Sequence, residues 1–468
     1  MVNSETNAPV LLREWSGAFD LLALHEAQRR RYPCLLQSIA AGTEQARFDI
    51  LFAHPGETLA LLRDGALRKG EQTLIENDFL GQLDSCWQRE ATYSVLPHDL
   101  PFSGGWFLYL GYELAAQIEP GLKLPVEGGT KQLPTAYATR IPAAIIYDHQ
   151  QQRCWLLAEE DHAPLLDSMA DDIEALTVDQ KTEQSAGEVF VNTLEEEKPS
   201  QYLNAVEKIK QYIVDGDVFQ VNLSRAWHGE IADEISVSDI YRRLCARNPA
   251  PFAGLACYQE SAVISSSPER LVSVRDKTVS TRPIAGTRPR STESDDDRAL
   301  SDALLQHPKE RAEHIMLIDL ERNDLGRVCE PGTIEVDELM VVESYTHVHH
   351  IVSNVRGTLR KGVTPGEVIR AVFPGGTITG CPKVRCMEII AELEQTTRGP
   401  YTGAMGYLNR DGSMDLNILI RTIVTEEQQL NLRAGAGIVA DSIAEAELAE
   451  TRVKARGLLR ALGVDDVD

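Results

Sequence analysis

Residues Ser261 to Arg290 read SAVISSSPERLVSVRDKTVSTRPIAGTRPR. Apolar and polar residues alternate through VISSS, LVSV and TVST, and Pro, Asp-Lys and Gly break the runs, so the segment reads as consecutive strands. The flanking chain adds helices. QYLNAVEKIKQYIVDGD (201–217) places Leu203, Val206, Ile209 and Ile213 at helical spacing and stops at Gly216. VFQVNLSRAW (218–227) alternates as a strand, and HPKERAEHIMLIDLERNDLGRV (307–328) is a helix with an apolar stripe. MVVESYTHVHHIVSNVRGTL (340–359) is strand-like. GPYTGAMGYL, MDLNILIRTIVT and LNLRAGAGIVA read as three strands, and AEAELAETRVKARGLLRAL (444–462) as a closing helix. Many strands with intermittent helices predict an α+β enzyme with extensive antiparallel pairing.

The first 176 residues read as a second region of strands and short helices, with RFDILFAHP and ATRIPAAIIYD as strands and PFSGGWFLYLGYELA as a Gly-rich aromatic segment. Residues 177–200 are polar and aperiodic and read as a linker to the region 201–468. The chain has 468 residues and a net charge of −25. That sign argues against nucleic acid or an anionic membrane as partner, since both call for basic patches. It leaves room for anionic small substrates, which a local Arg, Lys or metal cluster can hold. The N-terminus carries no signal-peptide pattern, and no run reaches the ~20 apolar residues of a membrane span. The eight cysteines are scattered without a Cys-x-x-Cys, which reads as reduced thiols in a cytoplasmic protein.

Four features could carry chemistry. Glu310 and Glu313, and again Glu447 and Glu450, lie three apart on predicted helices, so each pair points to one side. Two such pairs facing one cavity could bind Mg²⁺, an oxygen-seeking ion. In a chain with 71 acidic residues, such a pair is more often solvated, and Lys454 could simply pair with Glu450. FPGGTITGCPK (373–383) lacks the Gly-Lys-Ser/Thr of a phosphate loop, although glycine-permitted amides ahead of a helix make an anion site. The competing reading is a tight turn. THVHH offers His347 and His349 on one strand face and His350 on the other, which speaks against a three-histidine zinc site. In SSSPER, Glu269 near a strand end could be a general acid or a surface carboxylate.

Taken in order, SSSPERL, PIAGTRPR, RAEHIMLIDLERNDLGRV, FPGGTITGCPKVRCMEII, GPYTGAMGYL, RAGAGIVADS and ELAETRVKARGLL resemble the chorismate-utilising enzymes. That family includes anthranilate synthase component I, aminodeoxychorismate synthase component I, and the isochorismate and salicylate synthases. The resemblance spans about residues 198 to 460, and the N-terminal half looks most like the aminodeoxychorismate synthase branch. It implies two lobes of packed antiparallel sheet with outer helices and a central cleft, the two regions intertwined. It also implies that Glu313 and Glu450 hold Mg²⁺, with Glu310 and Glu447 as nearby acids. Gly376, Thr377, Tyr401, Arg421, Gly435, Ala436 and Lys454 would surround the two carboxylates of chorismate. Glu269 would protonate the departing C4 hydroxyl, and His350 would sit beside the ring.

Two positions bear on the product. Water-using members carry a base lysine where this chain has Gln220, which favours ammonia as nucleophile. Aminodeoxychorismate synthases commonly carry a nucleophilic lysine where this chain has Ala285, the residue typical of anthranilate synthases. FPGGTITGCPK, the N-terminal segments and Phe252–Ala253, where anthranilate synthases place a Tyr-Met pair of the tryptophan site, point the other way. The expectation is an aminodeoxychorismate synthase acting without the covalent lysine, with anthranilate synthase component I as alternative. An inactive ligand-binding subunit is disfavoured by the intact Glu269, Glu313, Glu450 and Lys454. No glutaminase Cys motif is present, so the resemblance implies a separate glutamine amidotransferase subunit supplying ammonia. Ser38 in LLQS leaves a tryptophan ligand in the N-terminal half open.

Overall fold

The computed structural model describes residues 10–17, 19–40, 47–92, 99–126, 133–176, 189–290, 308–344 and 348–464. His347 and the acidic stretch 291–305 lie outside them. The strands form two antiparallel sheets of twelve. One runs Val10–Trp15, Arg153–Glu159, Ala143–Asp148, Phe48–Ala53, Cys34–Gln37, Phe252–Tyr258, Ser261–Ser267, Thr422–Glu426, Gln429–Ile438, Gln220–Ile231 and Val191–Glu196, with Gly380–Cys381 beside Gln220. The other runs Ile284–Pro289, Val348–Thr358, Thr278–Thr281, Arg270–Arg275, Met414–Ile418, Ala404–Asn409, Gly105–Leu110, Ala136–Ile141, Thr58–Leu61, Leu67–Lys69 and Gln72–Thr73. Glu335–Ser344 pairs with Val348–Thr358.

Alternation along the strands builds three apolar layers. Phe52, Ala256 and Val263 of one sheet meet Phe107, Tyr137 and Met405 of the other between the sheets. The outer face of the first sheet is covered by helices Leu21–Ala27, Leu165–Ala175, Val237–Arg247 and Ala444–Ala461. The outer face of the second packs against Phe79–Glu90, Pro308–Gly326 and Pro365–Val372. Among the described residues no helix is long and apolar enough to cross a membrane.

Each sheet takes strands from both ends of the chain, so the two expected regions are woven together. Two local expectations change. The stretch 177–200 is more than a linker. Val191–Glu196 is an edge strand on Gln220–Ile231, and Pro199 opens the helix Pro199–Val214. Its charges mislead because they are used inside: Glu196 pairs with Arg225 and Arg452. MDLNILIRTIVT is two strands in different sheets, broken at Leu419–Arg421, a bend that an unbroken apolar run conceals. Gly435 and Ala436 lie inside the strand Gln429–Ile438, as the alternation of LNLRAGAGIVA predicts, paired with Ser224 and Leu223.

A buried charge cluster ties the strand Gln220–Ile231 to the helix Lys383–Glu394. Glu394 accepts from Arg398 at 2.6 and 3.0 Å, from Arg433 at 2.9 Å, and from the amide and hydroxyl of Ser224 at 2.8 Å each. Burial alone would push its carboxyl up, yet Arg398 and Arg433 hold it below the usual carboxylate range. Removing one partner of such a cluster leaves buried charge uncompensated. Glu394→Ala should therefore lower unfolding free energy by about 3–5 kcal/mol in urea titrations near neutral pH. Because the carboxyl is depressed, its contribution is present above its ordinary pKa. The gap to wild type should close as pH falls below that range.

Candidate active site

Two neighbouring strands cross between the sheets at one place. Ser261–Ser267 continues through Pro268 and Glu269 into Arg270–Arg275, and Met414–Ile418 continues through Leu419–Arg421 into Thr422–Glu426. The Ser266 amide donates to Arg421 O at 3.1 Å, and the Ile418 amide to Glu269 O at 3.0 Å. Ser267 Oγ donates to Ile418 O at 2.5 Å. Arg421 takes a positive φ of 54° at its bend. Glu269 and Arg421 thus occupy adjacent corners of the fold.

Glu269 is 5% exposed. Its Oε1 accepts from Thr377 Oγ1 at 2.7 Å, and the Ile284 amide donates to the same carboxylate. Burial pushes its pKa up to about 7 against the opposing pull of Thr377, Ile284, Arg421 and Lys454. A carboxyl so poised can hold and release a proton near neutrality. Ala285 follows Ile284 on the strand Ile284–Pro289, paired with Ile351. His350 pairs across the strand with Thr287 and is held through the backbone of Gly286. Its pKa is lowered to about 4, chiefly by burial, so it is neutral near pH 7. His349 instead bonds Ser344 Oγ at 2.7 Å.

Arg421 makes no side-chain hydrogen bond or ion pair among the described residues. Burial lowers its pKa, and the charges it senses are Tyr401, Glu450 and Glu269. A guanidinium partly withdrawn from water, with no side-chain partner among the described residues, is well placed to meet an anion. Tyr401 lies nearby in the turn after Arg398, whose guanidinium stacks over its ring at 5.6 Å. Lys454 Nζ donates to Gly435 O at 3.0 Å and pairs with Glu450 Oε1 at 2.6 Å. Gly376 and Thr377 form a single 3₁₀ turn, followed by Gly380–Cys381 as a strand. A side chain on Gly376 would meet Leu320 Cδ2 at 2.4 Å, so only glycine lets the turn sit against the helix Pro308–Gly326. Within 373–383 this turn delivers Thr377 to Glu269.

Glu447 and Glu450 lie on the helix Ala444–Ala461, Glu310 and Glu313 on Pro308–Gly326. Ser442 Oγ donates to Glu447 Oε1 at 2.7 Å. Among the described residues no three His, Cys, Asp or Glu side chains already close on one metal-sized point. The donor set nevertheless fits Mg²⁺ chemically: it is oxygen only, and Glu450 Oε2 accepts no hydrogen bond among the described residues. Gln220 starts the strand that pairs with Gly380–Cys381, and its carboxamide nitrogen would lie 2.1 Å from a side chain on Gly437. Sequence reasoning missed Arg398, Glu394 and Asn222. Their signal is partnership in three dimensions, which no local pattern carries.

A buried acid and a partly exposed guanidinium with no side-chain partner among the described residues meet at the two-sheet crossover, and a lysine beside carboxylates comes from the closing helix, an arrangement able to hold an anion and release a proton. The family model for chorismate binding enzymes matches residues 38–460. An anthranilate synthase component I-like protein of Synechocystis is 43% identical over 387 residues, covering 82% of this chain and 78% of that protein. Aminodeoxychorismate synthase component 1 of Bacillus subtilis is 39% identical over 454 residues, covering 94% and 93%. The crystal structure of anthranilate synthase component I from Streptococcus pneumoniae superposes with a TM-score of 0.79 at 32% identity, covering 89% of this chain and 93% of that one. With the expected two-sheet architecture in place and most of its length matched, the chain belongs to the chorismate binding enzyme family.

Proposed function

We propose that this chain aminates chorismate with ammonia to 4-amino-4-deoxychorismate, on the way to p-aminobenzoate and folate. A separate glutamine amidotransferase subunit supplies the ammonia, in the cytoplasm. The observation that carries the substrate class is Arg421, a partly exposed guanidinium with no side-chain partner among the described residues, set beside the buried acid Glu269. Arg421, Lys454, Tyr401 and the backbone about Gly376, Gly435 and Ala436 hold the two carboxylates. Glu313 and Glu450, with Glu310 and Glu447 behind them, would hold Mg²⁺, which when bound adds positive charge against the ring carboxylate. Glu269 gives its proton to the C4 oxygen as the C4–O bond breaks, and water leaves. Thr377 fixes the carboxyl by its 2.7 Å hydrogen bond. Neutral His350 closes the ring side without adding a charge.

Ala285 cannot attack the ring. A small nucleophile, ammonia or water, therefore adds at C2 as the C4 hydroxyl leaves. Ammonia then adds at C4 and expels the C2 group, and the surplus proton on nitrogen returns Glu269 to its acid form. If the C2 amine stays, the product leads to anthranilate instead. That second reading rests on Ala285 and on the likeness to anthranilate synthase component I proteins. Phe252 and Ala253 favour the first, because they line a cavity of about 880 Å³ with Ser38, Arg270 and Met405 where a Tyr-Met pair would serve tryptophan.

Purified protein with chorismate, Mg²⁺ and an ammonium salt should yield p-aminobenzoate only when an aminodeoxychorismate lyase is added. Fluorescent anthranilate without lyase would reverse the assignment. Added tryptophan should leave the rate unchanged, as read in the same assay. Glu269→Gln should lower kcat by about 10²–10⁴ with little change in KM for chorismate. Since Glu269 must be protonated to act, the wild-type rate at constant free ammonia should fall as pH rises through about 7.

A further inference from the structure

The strand Gln220–Ile231 presents two groups that the proposed chemistry leaves unused. Val221 and Leu223 point into the core beside the helix Lys383–Glu394, so Gln220, Asn222 and Ser224 share the opposite face. Ser224 is engaged by Glu394. The side-chain oxygens of Gln220 and Asn222 are buried and accept no hydrogen bond among the described residues. A buried acceptor left bare forfeits its hydration without return, so such a group calls for a partner from outside the chain.

The backbone keeps Asn222 in place. Its amide donates to Thr379 O at 2.9 Å, and its carbonyl accepts from Arg398 Nη2 at 2.7 Å. Its side chain reaches the cleft. A Cβ placed on Gly435 would lie 2.7 Å from Tyr401 Oη and 2.8 Å from Asn222 Oδ1, so glycine lets these two oxygens converge. Gly437 gives Gln220 the same room. Gln220 and Asn222 therefore stand in one row, with Asn222 converging on Tyr401.

Only a donor can satisfy these oxygens. The two carboxylates of chorismate are acceptors, and its hydroxyl is matched to Glu269. Among the reactants, the donor left without an assigned acceptor is the ammonia nucleophile, which would sit beside Tyr401 Oη. We propose that Asn222 is an ammonia-binding residue, its Oδ1 accepting an N–H of the attacking ammonia beside Tyr401, with Gln220 Oε1 as the preceding acceptor in that row. This deepens the amination reading and rests on it. A neutral carboxamide suits this role because it binds N–H and leaves the nitrogen lone pair free. A carboxylate would favour ammonium, whose lone pair already carries a proton.

The test uses the full chain with chorismate, Mg²⁺ and ammonium chloride. Asn222→Leu removes the acceptor at similar size. KM for ammonia should rise about tenfold, the loss expected for one hydrogen bond, while KM for chorismate stays within about twofold. Asn222→Ser keeps a hydroxyl acceptor and should recover part of the loss. It also carries the comparison if circular dichroism shows that the leucine variant is unfolded. A rise in KM for chorismate alone, or no change in KM for ammonia in the folded variants, overturns the proposal. A wild-type chain that forms no aminated product sinks the amination reading and this proposal with it, a result seen before any variant is made.

Discussion

The site depends on one constraint of the backbone: two hydrogen-bonded neighbours must change sheets together. When Ser261–Ser267 bends at Pro268, its partner Thr422–Glu426 has to bend with it, or the ladder between them breaks. Ser265 Oγ and Thr422 Oγ1 lie 2.9 Å apart at this point, and Ser267 caps Ile418 O from the other side. The residues left at the two corners are Glu269 and Arg421. Each is fixed by backbone hydrogen bonds rather than by its own rotamer, which is how an acid and a cation come to be aimed into one cleft. The other groups are brought to these corners by elements packed around them. Thr377 comes on a turn pressed against the helix Pro308–Gly326, and Lys454 comes on the closing helix.

Charge is distributed accordingly. A chain of net charge −25 gains nothing from its overall field when it meets a dianion. What matters is which cations are left available. Arg225 is absorbed by Glu196 and the carbonyl of Glu197, and Arg398 and Arg433 by Glu394. Lys383 is absorbed by Asp324. Arg421 alone in this group has no such carboxylate among the described residues, so the positive potential of the cleft concentrates on it. Glu394 therefore serves the site at a distance by removing two competing guanidinium groups from it.

Much of the fold was legible in the sequence because antiparallel strands advertise themselves by alternation. Ser261–Arg275 and Gln220–Ile231 show it clearly. The crossovers did not show. MDLNILIRTIVT is apolar on both sides of Arg421, and a fully buried strand gives no period to interrupt. Val191–Glu196 was hidden for the opposite reason, since glutamates that pair with Arg225 and Arg452 look like solvent-facing charges. For the site, Glu269, Thr377, Arg421 and Lys454 were legible through family motifs, and their local patterns alone left each open to a bland reading. Asn222 was out of reach, because an amide oxygen without a partner looks like any other asparagine until its surroundings are known.

The interleaving of the sheets bears on how the polypeptide is made. Strands Phe48–Ala53, Cys34–Gln37 and Phe252–Tyr258 are neighbours in one sheet, and Gly105–Leu110 lies beside Ala404–Asn409 in the other. About three hundred residues separate the last pair, so that contact has to close a very long loop. While the ribosome is still translating the middle of the message, the edges of Cys34–Gln37 and Gly105–Leu110 lack their later partners. Such edges are the surfaces that pair wrongly with other chains. The emerging N-terminal segment must stay shielded, by collapse or by chaperones, until synthesis is nearly complete, and a truncated product of any length short of that exposes an unfinished sheet.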